Sequence, residues 1–210
     1  MTEEWRRRYS EWLGGIETIG VREFAGAQIV RELTGRNAKV VLDPTMLQTA
    51  EWWSEIEERP IIPGVELDRP FCVKYVLGDD AASSKIAERC NRDGLELVDL
   101  TNVHLPVGPA EFVWLIHHSA LVCTDSFHAT VFSLLFHRRF VIYERQGNAG
   151  NMSSRFDTLD TLFGINSNRS GMGCFDERCV DEFDWAGFER ELDERRGDSI
   201  AWLHDGLVRL

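Results

Sequence analysis

No stretch of this sequence approaches the roughly 20 consecutive apolar residues that a membrane-spanning helix needs, so no membrane span is expected. The opening residues, Met1-Thr-Glu-Glu-Trp-Arg-Arg-Arg, carry charge with no apolar stretch behind them and do not read as a signal peptide. Positive charge is also scarce: the net charge is −12 and the sequence pI about 4.9. A surface this acidic repels nucleic acid and anionic lipid, so neither is expected as a partner. The cysteines, Cys72, Cys90, Cys123, Cys174 and Cys179, are odd in number and contain no C-x-x-C pair. Only Cys174 and Cys179 lie close together, with no His cluster near them in sequence. Neither a zinc site nor a disulfide framework is indicated, and reduced thiols in a cytoplasm fit best. No metal and no cofactor are expected. Internal repeats and low-complexity segments are absent as well.

What is present is globular. Of 210 residues, 43% are hydrophobic and 28% charged, enough to bury a core. Excess acid gathers late, from Asp176 to Glu194, and reads as a solvated helix face. Residues 4–13 predict a short helix stopped by Gly14-Gly15, Ile16–Val21 a strand, Phe24–Leu33 a helix, and Lys39–Leu42 a strand stopped by Asp43-Pro44. Residues 48–70 hold three of the six prolines and read as a connection. Strands are expected at Phe71–Leu77, Leu95–Leu100, Ala120–Thr124 and Phe140–Tyr143. Helices are expected at Ala81–Arg92, Pro109–His118, Ala129–Phe136 and Arg155–Phe163, and a long amphipathic one over 184–206. Strands alternating with helices argue an α/β fold with a parallel sheet. Residues 1–47 are too few to bury their own core. Either they complete the sheet that follows, or they belong to a lobe whose remainder lies elsewhere.

The segment Ala120–Tyr143 is the most informative for chemistry. A buried strand ends in Thr124-Asp125-Ser126 and a helix begins at Phe127-His128. In open α/β sheets, ligands sit at the carboxyl ends of strands, beside helix amino termini that favour anions. Ser126 can donate its hydroxyl there, Ala129 is small enough for close approach, and His128 lies in the first helical turn. The plainer reading makes Asp125 or Ser126 an N-cap and His128 a surface residue. Asp43, before a proline, reads as a turn former, and His117-His118 as solvated helix residues. Glu144-Arg145 follows a strand at the edge where ligands bind. Gly171-x-Gly173 lacks the context of a dinucleotide loop, and Ser126 with His128 lacks the acid of a hydrolase triad.

Thr124-Asp-Ser-Phe-His-Ala-Thr-Val-Phe-Ser133 resembles the T-D-S-F-H-G-x-x-F-S signature of polysaccharide pyruvyl transferases. Three further segments match in order. Ile19-Gly-Val-Arg-Glu-Phe-Ala-Gly26 is similar to I-S-x-R-E-x-S-G. Val41-Leu-Asp-Pro-Thr45 is similar to V-x-D-P-T. Ser154-Arg155 with Leu159, preceded by Asn151, is similar to S-R-x-x-x-L. Ala129 departs from the family's Gly.

The resemblance implies a Rossmann-like lobe of a two-lobed, glycosyltransferase-B-like fold, with this chain as its carboxy-terminal half. Residues 1–47 would be the remnant of an amino-terminal lobe, 48–70 the connection, 71–183 the carboxy-terminal lobe and 184–210 a closing helix. It also implies transfer of pyruvate from phosphoenolpyruvate onto a sugar or lipid-linked glycan as a ketal. His128 would be catalytic, and Arg22, Ser126, Arg155, Asn151 and Glu144 would bind substrate. Arg forks suit the donor's carboxylate and phosphate. The alternatives are a nucleotide-sugar glycosyltransferase of similar build, or a non-catalytic lobe that binds sugar or a partner protein. An exposed apolar cleft wall is expected, with a homodimer formed through it as one consequence.

Overall fold

A computed structural model describes residues 2–78, 82–143, 153–165, 169 and 183–208. In chain order the elements begin with α1 (Glu3–Gly14), β1 (Gly20–Val21), α2 (Phe24–Thr34) and β2 (Lys39–Val40). They continue with α3 (Ala50–Ile56), β3 (Phe71–Tyr75), α4 (Ser83–Asp93), β4 (Glu96–Asp99) and α5 (Pro109–His118). The last are β5 (Leu121–Thr124), α6 (Phe127–Leu135), β6 (Phe140–Ile142), α7 (Ser153–Phe163) and α8 (Trp185–Val208). The chain divides into two compact units. One comprises Met1–Leu47, Ser154–Phe163 and Ala186–Leu210; the other comprises Gln48–Ser153 and Gly164–Trp185.

The first unit is built on a parallel pair, β1 beside β2, with Gly20 opposite Lys39. Among the described residues this pair is a sheet of its own and does not extend the larger one. Its core is completed from far along the chain. Phe163 of α7 meets Phe188 of α8 edge-on at 5.1 Å, and Leu42 donates its N–H to the buried hydroxyl of Ser199. Arg196 reaches the carbonyl of Met46 at 2.9 Å. The predicted strand Ile16–Val21 shrinks to two residues for a local reason. Arg36 donates to the carbonyls of Leu13, Ile16 and Glu17, and Ile16 donates its N–H to Leu13. That backbone therefore closes the end of α1 and is unavailable to a ladder.

The second unit holds a four-stranded, all-parallel sheet in the order β4-β3-β5-β6. The expected shared sheet of Val73, Leu97, Val122 and Ile142 is present, and its parallel pairing requires crossovers between successive strands. Both faces are covered, as parallel sheets require. On one side Cys72, Leu121, Cys123 and Val141 pack with Ile86 and Cys90 of α4. Phe71 stacks on Trp114 of α5 at 6.2 Å, and Tyr75 meets Phe112 edge-on. Burial first, then contact with Cys123, pushes the Tyr143 phenol far above its ordinary range. The segment 48–70, expected as plain connection, contains α3. Thr49 caps it by accepting the Trp52 N–H, and Trp53 anchors it edge-on against Phe132 of α6 at 4.9 Å.

The order β4-β3-β5-β6 has a consequence for ligands. After β3 the chain crosses to one neighbour, and after β4 it returns to the other side of β3. The strand order therefore reverses at β3 and β5, and a crevice opens outside their carboxyl ends.

Candidate active site

In the second unit the ends of β3 and β5 are tied together by side chains of the Thr-Asp-Ser run. Thr124 donates its hydroxyl to the carbonyl of Tyr75 at 2.6 Å and accepts the N–H of Ser126 at 2.9 Å. Asp125, 1% exposed, accepts the N–H groups of Leu77 at 2.8 Å and Gly78 at 2.7 Å, one on each carboxylate oxygen. Asp125 is thus neither the N-cap of α6 nor solvated. It holds the backbone that leaves β3 against the turn that leaves β5.

Ser126 occupies the N-cap position of α6 but makes no side-chain capping bond. It is half-buried, and His128 is exposed in the first turn of the helix. Ala129 is fully buried. The amino end of α6, with Ser126 and His128, therefore sits at the carboxyl edge of the sheet where its strand order reverses. That position suits an anion, because helix amino termini present N–H groups and partial positive charge. Asn102, Tyr75 and Phe112 line a cleft of about 530 Å3 at the ends of β3 and β4.

In the first unit the carboxyl ends of β1 and β2 carry a chain of charges. Arg22 donates to Asp43 at 2.6 Å, and Asp43 is 4% exposed. Asp43 also accepts the N–H of Thr45 at 3.0 Å, so it forms the expected turn and pairs an arginine as well. Glu23, the next residue, lies 3.9 Å from Arg22. Glu23 instead accepts from Ser154 at 2.7 Å and from Arg155 at 2.9 Å. Thr158 accepts the N–H of Phe24 at 3.2 Å, capping α2 where Glu23 does not. Arg22 and Arg155 thus both approach Glu23, and both stay about 30% exposed.

Of the residues predicted for a site, Arg22 with Arg155 and Ser126 with His128 form two neighbourhoods, one in each unit. Glu144 and Asn151 lie outside the described residues. Sequence reasoning missed Asp125 as a clip, Glu23 as a bridge and Thr158 as a cap. Thr158 had no visible signal, whereas Glu23 stood inside a matched motif.

Two units built on parallel sheets, one with Ser126 and His128 at a helix amino terminus and the other with Arg22 and Arg155 ion-paired to Asp43 and Glu23, define a mixed α/β protein. The model of the polysaccharide pyruvyl transferase family matches residues 2–147, and the chain belongs to that family. The match takes in both motifs that supply Arg22, Ser126 and His128. No curated protein matches the chain. Among the described residues no helix is long and apolar enough to cross a membrane.

Proposed function

We propose that this protein transfers pyruvate from phosphoenolpyruvate to a sugar, forming a cyclic ketal, and that His128 supplies the proton. The observation that carries the reading is the amino end of α6. An exposed imidazole and a half-buried hydroxyl stand at a sheet's carboxyl edge, inside the segment that the family model matches.

The chemistry sets the demands. The methylene carbon of phosphoenolpyruvate takes a proton, and a sugar hydroxyl bonds to the adjacent carbon and loses its own proton. A second hydroxyl of the same sugar then displaces inorganic phosphate, closing the ring. One proton ends on the new methyl group and the other leaves with phosphate. A positioned acid is required for the first step, and cations or N–H groups for the carboxylate and phosphate. In this reading His128 is the acid, and Ser126 and the α6 amino terminus hold one anionic group of the donor. Arg22 and Arg155 provide guanidinium forks for an anion, with Asp43 and Glu23 fixing their direction.

The test uses the complete protein with phosphoenolpyruvate and candidate glycans, reading acceptor-dependent phosphate release and acid-labile pyruvate on the glycan. His128→Gln is expected to lower turnover by about 10²–10⁴, the usual worth of a general acid, without changing thermal stability. Unchanged turnover in that variant refutes the assignment of His128. Stabilisation by a nucleotide sugar, with none by phosphoenolpyruvate, would make the protein a glycosyltransferase instead.

A further inference from the structure

His117 and His118 are consecutive on α5, and consecutive helix side chains ordinarily diverge. Here they converge. Their ring centroids are 4.6 Å apart, and both address one carboxylate. Nδ1 of His117 lies 2.8 Å from one oxygen of Glu57, and Nε2 of His118 lies 3.0 Å from the other. His118 is exposed as expected, but His117 is half-buried and both rings engage Glu57, so the reading of His117 as a solvated helix residue is corrected. The His117 side chain is 24% exposed and that of Glu57 only 11%.

Each ring is also braced. His117 stacks on Phe136 with centroids 4.1 Å apart and planes 12° from parallel. His118 stacks on Trp114 at 4.3 Å and 21°. Glu57 follows the last residue of α3, whose place is set by the N–H of Glu58 bonding to the Ala110 carbonyl at 3.3 Å. Three donor atoms, all within 4.8 Å of one another, are thus presented from two elements with little rotamer freedom left to lose.

From this geometry we infer that Glu57, His117 and His118 form a binding site for a divalent transition-metal ion of the zinc type. Two imidazoles and one carboxylate suit zinc-like ions, whereas magnesium and calcium prefer all-oxygen shells. Around a tetrahedral zinc, with bonds of about 2.0–2.2 Å, neighbouring ligand atoms stand about 3.4 Å apart. Side-chain rotations must open the observed 2.8 and 3.0 Å contacts to that spacing and set the two ring nitrogens, which lie within 4.8 Å of each other, at the same distance. In neutral rings the proton facing Glu57 moves to the other ring nitrogen by tautomer exchange through solvent, leaving a lone pair for the metal. His118 is 42% exposed, which leaves a side open for water as the fourth ligand, as in three-ligand sites. Arg138 is near enough to Glu57 for their charges to interact, and its positive charge opposes that of a bound cation. The ion would staple the end of α3 to the end of α5.

The experiment titrates the reduced, metal-free full chain with zinc in a non-coordinating buffer, and repeats the titration with cobalt to read ligand type. One ion per chain is expected, with a tetrahedral cobalt spectrum lacking the thiolate charge-transfer band that the cysteines would give. His118→Ala and Glu57→Gln should each weaken binding at least about 100-fold, the upper end of what loss of even an outer-shell partner costs. Zinc should raise the melting temperature of the wild type and not of His118→Ala. His118 is the most exposed of the three residues, so its variant is chosen to keep the fold, checked by near-ultraviolet circular dichroism. No stoichiometric uptake, a thiolate spectrum, or undiminished binding in His118→Ala would overturn the site.

Discussion

Asp125 holds Gly78 across the crevice edge, its carboxylate 2.7 Å from the glycine N–H while its other oxygen takes the N–H of Leu77. A carboxylate can accept both bonds at once; an amide offers one oxygen and turns an N–H donor toward the other backbone N–H. Asp125→Asn is therefore expected to lose about 1–3 kcal/mol of stability, measured by urea unfolding of the intact chain. The loop after β3 should also lose amide hydrogen-exchange protection at Leu77 and Gly78. Unchanged protection at those two amides would show that the clip does not order this edge.

A second prediction concerns Glu23. Its carboxylate carries the hydroxyl of Ser154 and the guanidinium of Arg155, tying the start of α7 to the start of α2. Glu23→Ala removes two bonds to a charged acceptor, and bonds of that kind contribute about 1.5–3 kcal/mol each when well formed. Partial exposure reduces this, and a loss of about 1–2 kcal/mol is expected for the pair. The loss is read from urea midpoints of the intact chain, with amide exchange at Phe24 reporting the start of α2. Unchanged midpoints in Glu23→Ala would show that the bridge does not tie the two helices together.

Third, Lys74 and Asp99 form a pair with pH-dependent consequences. Lys74 is 5% exposed, and its ammonium lies 3.0 Å from Asp99. Burial pushes the Asp99 carboxyl up, but bonds from Thr101 and then Lys74 outweigh it and leave it below the ordinary carboxylate range. A depressed carboxyl contributes stability above its unfolded pKa, about 3.9, and loses it as pH falls through the lower folded value. Asp99→Asn should thus be less stable than the wild type at pH 7, and the gap should close as pH falls below about 4. A stability difference that stays constant across this window would exclude the charge as its source.

Much of the fold was legible because its elements obey local rules. Pro109 opens α5 and α5 ends at His118, as its sequence suggested. Gly35 and Gly94 end α2 and α4 in the left-handed conformation that glycine tolerates. The four strands of the larger sheet were visible as short apolar runs bounded by turns. What was not legible depended on partners distant in sequence. The Ile16–Val21 strand failed because Arg36 claims its carbonyls. The connection over 48–70 hid α3 because its helix is held by Trp53 on Phe132, 79 residues away. For the candidate site, Arg22, Ser126 and His128 could be picked from motifs, while Asp125 could not be told from a helix cap. The convergence of His117 and His118 on Glu57 spans 60 residues, and no local pattern encodes it.

The last prediction turns on Gly20, which stands where the family's similar motif carries serine. Any Cβ at this position would lie 2.6 Å from the indole of Trp202, closer than real contacts allow. Trp202 belongs to α8 and Gly20 to β1, both in the first unit. The missing side chain thus lets the last helix lie on the first strand, and the departure from the motif is matched by a tryptophan 182 residues later. Gly20→Ala should force the indole to shift and cost about 1–3 kcal/mol, as overpacking usually does. Gly20→Ser should cost at least as much, although it restores the motif. Trp202→Leu removes the obstruction at the price of packing area, so the double variant Gly20→Ala with Trp202→Leu should be less destabilised than the sum of the two single changes. A coupling of about 0.5 kcal/mol or more in that cycle, read from denaturant midpoints, is expected for residues in direct contact. Strict additivity would show that β1 and the indole do not touch in solution.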